Sequence, residues 1–89
     1  MPRVVFTSNL QRHVAIPDRD VAGTTVAQAL AVVFADAPQA RDYVLDEQGH
    51  VRKHVFIFVD GQRITERERL EQPLGESSQV YVMQALTGG

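Results

Sequence analysis

The sequence contains no cysteine. That removes disulfides, thiolate metal ligands, iron-sulfur ligation and thiol nucleophiles together, and agrees with a reducing compartment. It also lacks a basic excess: the formal charge is -2, so nothing is present to hold a polyanion and nucleic acid is not expected as a partner. No apolar run approaches the roughly 20 residues of a membrane span, and the first residues lack a signal peptide's apolar stretch. No membrane association is expected, and the cytoplasm is the expected location. A phosphate-cradling glycine loop is missing. Asp18, Asp20, Asp36, Asp42 and Asp46 do not form a calcium-loop pattern. His13, His50 and His54 lack ligand spacing and have no cysteine companions, so neither a metal site nor a bound cofactor is expected. Ser77-Ser78 precedes a strand pattern without a matching His and acid pair, which points to turn chemistry and leaves no catalytic residue to assign.

What is present fits one small globular domain. Eighty-nine residues with 44% hydrophobic and 22% charged content bury about 60 to 65% of their unfolded surface in a single thin core. Arg3-Val4-Val5-Phe6-Thr7 is β-branched and aromatic, as a strand should be. Ser8 to Gln11 supplies turn side chains, and Arg12-His13-Val14-Ala15-Ile16 alternates polar and apolar before Pro17. These two runs predict an N-terminal hairpin, followed by a loop over Asp18 to Gly23. Thr25 and Gln28 have capping-box spacing. Behind them Val26, Leu30, Val33 and Phe34 share one face of a helix that ends before Pro38. Gln39 to Leu45 suggests a short second helical turn carrying Tyr43, Val44 and Leu45 inward, and Asp46 to His50 reads as an exposed turn.

His54-Val55-Phe56-Ile57-Phe58-Val59 is the strongest strand signal. Asp60-Gly61 then marks a tight turn, with Gln62-Arg63-Ile64 returning. Glu66 to Glu71 reads as a solvated charged face, with Leu70 and Leu74 as anchors. Gln79 to Met83 alternates again. In both strong strands the two faces are apolar: Val55, Ile57 and Val59 oppose Phe56 and Phe58, and Val80 and Val82 oppose Tyr81 and Met83. A sheet covered by one helix should be polar on its open side. One apolar set therefore needs a second layer or a partner. The chain ends Leu86-Thr87-Gly88-Gly89, a finish that background glycine usage gives about once in 200 chains.

The order of elements, the run Val55 to Gly61, its spacing to Gln79-Val80-Tyr81-Val82-Met83 and the terminal Gly88-Gly89 together resemble the ubiquitin-like sulfur carriers of the thiamine and molybdopterin (ThiS/MoaD) type. The resemblance covers essentially the whole chain. It implies an α+β, ubiquitin-like β-grasp fold: a mixed four- to five-stranded sheet with one main helix on one face, the N-terminal strand at the centre, residues 1–85 as the domain and 86–89 as a flexible tail. In that family the terminal glycine, here Gly89, is adenylated by an E1-like enzyme that uses ATP. A sulfur donor converts it to a thiocarboxylate, and a sulfur-accepting biosynthetic enzyme receives the sulfur.

The carrier itself is then no enzyme. Gly88 and Leu86 would thread and seat the tail, and Phe56, Phe58, Tyr81 and Met83, extended by Val5, would form the docking surface on the open sheet face. Gln84, Ala85 and Leu86 stand where molybdopterin carriers often have prolines, and the segment Tyr43 to His54 is similar to that of longer carriers, including the type serving a cysteine-forming pathway. Two alternatives stay open: a protein modifier conjugated through Gly89, and a non-covalent binding module that uses the open face.

Overall fold

The computed structural model describes residues 1–7 and 16–84. β-branched and aromatic residues suit the half-buried pleat of a sheet, and Val55–Val59 is built entirely from them. In chain order the elements are β1 (Arg3–Phe6), β2 (Arg19–Asp20), α1 (Val26–Asp36), α2 (Pro38–Val44), β3 (Val55–Val59), β4 (Gln62–Arg63) and β5 (Gln79–Gln84). They form one five-stranded sheet in the order β2-β1-β5-β3-β4. β5 runs parallel to β1 and antiparallel to β3. This is the expected mixed β-grasp sheet with its main helix, with one correction: the last strand holds the centre, and β1 lies beside it.

The core comes from one face of β1, β3, β5 and the two helices, with loop residues beside them. Val4, Phe6, Val55, Ile57, Val80 and Val82 are buried together with Val26, Ala29, Leu30, Val33 and Phe34 of α1. Burial of a Val, Leu, Ile or Phe side chain contributes about 1.5 to 3 kcal/mol each, so this layer dominates stability. Thr25 caps α1, its Oγ1 accepting from the Gln28 N–H at 3.2 Å. The reciprocal arm of the expected capping box lands one residue early, with Gln28 Oε1 accepting from Thr24 N–H at 2.8 Å and from Thr24 Oγ1 at 3.0 Å. α1 ends at Asp36, and Pro38 opens α2, where a missing N–H costs nothing. Leu70 and Leu74 are buried as expected.

Three expectations change. Among the described residues β1 pairs antiparallel with the charged pair Arg19-Asp20, inside the segment read as a loop, while residues 12–15 of the expected strand lie outside the described residues and Ile16 is buried. A two-residue charged edge strand has no apolar alternation to announce it; Arg3 and Asp20 fix its register with a 3.0 Å ion pair. Tyr43 points outward at 41% exposure, because α2 buries Ala40 and Val44 at helical spacing instead.

The charged stretch after β4 is more than a solvated face. Glu66 accepts from the backbone N–H groups of Glu68, Arg69 and Leu70 at 2.6 to 2.7 Å, which stabilises a turn whose Leu70 has φ 54°. Asp60 and Gly61, at φ 51° and 86°, take the left-handed positions of a two-residue hairpin turn between β3 and β4. Asp60 also ties that turn to β5, accepting from the Gln79 N–H at 2.9 Å and the Ser78 hydroxyl at 3.1 Å. Ser78 thus has the turn role expected of it.

Three carboxyls are held below their usual range: Glu66 by the Arg69 N–H and its neighbours, Asp46 by the His50 N–H and then that of Gln48, and Asp20 by its hydrogen bond to Arg3. Depressed folded-state values mean that their stabilisation is complete above the ordinary carboxylate range near pH 4 and is lost as pH falls through the lower folded values. Thermal melting should accordingly be flat from about pH 7 to pH 5 and decline below about pH 4. Glu66→Gln should show a shallower acid decline than the wild type, and an equal decline would remove Glu66 from the account.

Candidate functional site

Alternation along β3 and β5 decides the open face. With Val55, Ile57, Val80 and Val82 buried against α1, the intervening side chains must project to the other side. Register then pairs them: Phe56 lies opposite Met83, and Phe58 opposite Tyr81, which also neighbours Val5 on β1. Directly opposed side chains in a ladder have Cβ atoms about 4.5 to 5.5 Å apart, so the four expected docking residues form one contiguous patch. Tyr81 is 39% exposed, and Phe56, Phe58, Met83 and Val5 are half-buried. A shallow depression on this face is lined by Phe58, Tyr81 and Met83, with Asp60, Ser77 and Gln79 at its polar end.

Two arginines join the patch. Arg63 lies over the Phe56 ring at 5.4 Å and Arg67 at 5.6 Å, both within cation-π range. Arg63 was legible in principle, since the Asp60-Gly61 turn fixes its register opposite Phe58. Arg67 had no such signal. It reaches back across the sequence, donating to the carbonyl oxygen of Val55 at 2.7 Å and to that of Arg52. Arg67 is therefore half-buried and structural, contrary to its reading as part of a solvated surface. The face it borders presents aromatic and methionine side chains beside guanidinium groups, a composition typical of protein interfaces.

The second half of the expected site is the end of β5. The ladder with β3 runs to the pair Val55–Gln84. Next to it, residues 52–55 make a turn closed by Val55 N–H donating to the Arg52 carbonyl at 2.9 Å, and Arg52 Nε donates to the Asp42 carbonyl at 2.8 Å. Leu86, Gly88 and Gly89 lie outside the described residues. Among the described residues no group of acidic or histidine side chains is arranged to hold a metal ion, and no helix is long and apolar enough to cross a membrane.

By sequence, the chain matches no protein-family model and no curated protein. By shape it matches strongly. It superimposes on small archaeal modifier protein 1 from Methanosarcina acetivorans with a TM-score of 0.81 at 19% identity, covering 99% of this chain and 95% of that one. The Haloferax volcanii small archaeal modifier protein 1 gives 0.79 at 18%, covering 99% and 98%. A chain of the Amycolatopsis orientalis BexX/CysO complex gives 0.76 at 17%, covering 100% of both. These structures are ThiS/MoaD-like, ubiquitin-like β-grasp proteins, and their likeness establishes that fold for the present chain.

The two faces of β3 and β5 should separate in unfolding experiments. Ile57→Ala should cost about 2 to 5 kcal/mol in urea denaturation, whereas Tyr81→Ala, which loses cross-strand contacts and one exposed hydrogen bond to Gln79, should cost about 0.2 to 1 kcal/mol. Equal costs would mean that the open face is part of the core.

Proposed function

We propose that this chain is a sulfur carrier. Its Gly89 carboxyl is adenylated by an E1-like, ATP-using enzyme, converted to a thiocarboxylate by a sulfur donor, and consumed by a sulfur-accepting enzyme of cofactor or amino-acid biosynthesis. The observation that carries this reading is the course of β5. The central strand, paired on both sides, runs into the residues that end in Gly88-Gly89, on a fold shared with known carriers and modifiers.

The chemistry follows from the properties of a carboxylate. A carboxylate is a poor electrophile, and a mixed anhydride with AMP supplies the leaving group that sulfur displaces. The carrier contributes an end narrow enough to enter another enzyme's channel, because neither Gly88 nor Gly89 has a Cβ to collide with its walls, and Leu86 seats the segment behind them. Phe56, Phe58, Tyr81 and Met83, edged by Arg63 and Arg67, are the surface by which the activating enzyme recognises it. The chain itself is acted upon, binds no cofactor, and works where its partners are, in the cytoplasm.

A second reading shares the activation step. Two of the structurally similar proteins are named small archaeal modifier proteins, which favours conjugation through Gly89 to amines of other proteins as the alternative fate of the same activated end. A module that binds through the open face without chemistry at Gly89 is the third.

Intact-mass spectrometry of untagged protein from its native host separates them. The carrier predicts a mass gain equal to replacing one oxygen by sulfur, lost on deletion of Gly89. Ladders of conjugates would favour the modifier, and absence of both would leave the binding module. Phe58→Ala should remain folded while thiocarboxylate loading drops about 30-fold, the loss of one interface hot spot of about 2 kcal/mol. Unchanged loading would remove Phe58 from the recognition surface.

A further inference from the structure

The open face carries its positive charge at one end. Arg63 stands opposite Phe58 on β4, and its guanidinium lies 5.4 Å from the centre of the Phe56 ring, with that of Arg67 at 5.6 Å from the same ring. The two cations are therefore within about 11 Å of each other across one phenylalanine. Arg52 and Lys53, both exposed, occupy the turn that leads into β3. Among the described residues no carboxylate answers this group: the ion pairs there are Arg3–Asp20 and Arg19–Asp36, which belong to β2 and the end of α1. Asp60 and Glu66, three residues to either side of Arg63, are committed elsewhere. Asp60 accepts from Ser78 and Gln79, and Glu66 from the N–H groups of residues 68 to 70. Arg67 is held in place by its bonds to the Val55 and Arg52 carbonyl oxygens. The Arg63 guanidinium makes no hydrogen bond among the described residues.

We propose that this face takes a protein segment that carries a carboxylate next to an apolar side chain, the carboxylate landing on Arg63 with Arg67 beside it, and the apolar group filling the depression at Phe58, Tyr81 and Met83. The proposal rests on the reading of the open face as the recognition surface and gives the partner its chemistry. An aromatic ring attracts a cation through its face, whereas the N–H donors of arginine form a planar fork that matches a carboxylate. Contact with Phe56 thus steadies Arg63 and leaves its donors for a ligand. Phe58 follows Phe56 on the same face of β3 at about 7 Å, so the acceptor site and the apolar seat are neighbours. Their order also fixes direction. Asp60 lies at the far end of the depression, so a segment docked in reverse would set its carboxylate against Asp60, and like charges brought together are rejected. Charge complementarity selects a protein segment over nucleic acid, because cations gathered at one end of an apolar depression, on a chain of net charge -2, give no spaced array for a phosphate backbone.

The test is a nuclear magnetic resonance titration of the full, isotope-labelled chain with phenylpropionate, whose carboxylate and ring stand in for the acidic and apolar side chains. Saturable shifts should appear at the side-chain N–H groups of Arg63 and Arg67 and at Phe56, Phe58 and Tyr81. Phenylpropionamide, the same molecule without the charge, should bind about 10-fold more weakly or worse, and so should phenylpropionate to Arg63→Gln. Equal binding of acid and amide, the same shifts from inorganic phosphate, shifts confined to other cations such as Arg41 and Arg69, or a face that ignores the probe and binds phosphatidylserine vesicles would each overturn the proposal. Loading in extract of the native host then tests the protein partner. Arg63→Glu, confirmed as folded by circular dichroism, should acquire thiocarboxylate about 100-fold more slowly than the wild type, because a carboxylate would then face a carboxylate; an unchanged rate would overturn the proposal. The titration needs neither ATP nor Gly89, so a wild-type chain that binds the probe and never acquires sulfur would contradict the carrier reading alone.

Discussion

The structure depends on the pairing of its last strand. β5 is hydrogen-bonded to β1 on one side and β3 on the other, and its Val80 and Val82 are fully buried against α1. A strand made last in the chain yet lying at the centre ties the N-terminal and C-terminal halves into one sheet, so neither half retains a complete core alone. Burial on one face and double pairing fix its register, since a slip of one residue would exchange Val80 and Val82 for Tyr81 and Met83. That register also fixes where β5 ends, with Gln84 opposite Val55.

Function in this account is divided between a face and an end. The face holds Phe56, Phe58, Tyr81 and Met83, and its cost is an exposed apolar patch in a small domain. Arg63 and Arg67 limit that cost by lying over the Phe56 ring, and Arg67 adds a second role by bracing the turn at residues 52–55. The end holds the glycines, which need conformational freedom and slenderness more than contacts. In the proposed function, recognition and chemistry are connected through β5 itself, because Tyr81 and Met83 lie on the strand that precedes Gly89 in the chain.

Much of this was legible in the sequence where the physical signal was local and periodic. The α1 stripe, the two-faced apolar alternation of Val55 to Val59 and Val80 to Met83, and the Asp60-Gly61 turn each impose one geometry on the chain, and the structure adopts it. The elements that escaped were those whose signal is long-range. β2 is a charged dipeptide whose strand pairing is with Arg3 and Val4, and Arg67 acquires its role from carbonyl groups distant in sequence. Tyr43 failed for a different reason: in a helix of only seven residues, one position decides which residue faces inward, and Ala40 with Val44 takes that face. The docking residues could be named from alternation, whereas their basic border needed the hairpin register and the fold. The family resemblance supplied Gly89, and residues 85–89 lie outside what the structure describes.

The central claim is that Gly89 carries sulfur, and radiolabelled sulfide measures it most directly. Incubated with ATP in extract of the native host, the full chain should acquire label in an ATP-dependent manner, and a chain lacking Gly89 should acquire none. Labelling that is absent from the full chain, or that persists without Gly89 or without ATP, would contradict the account.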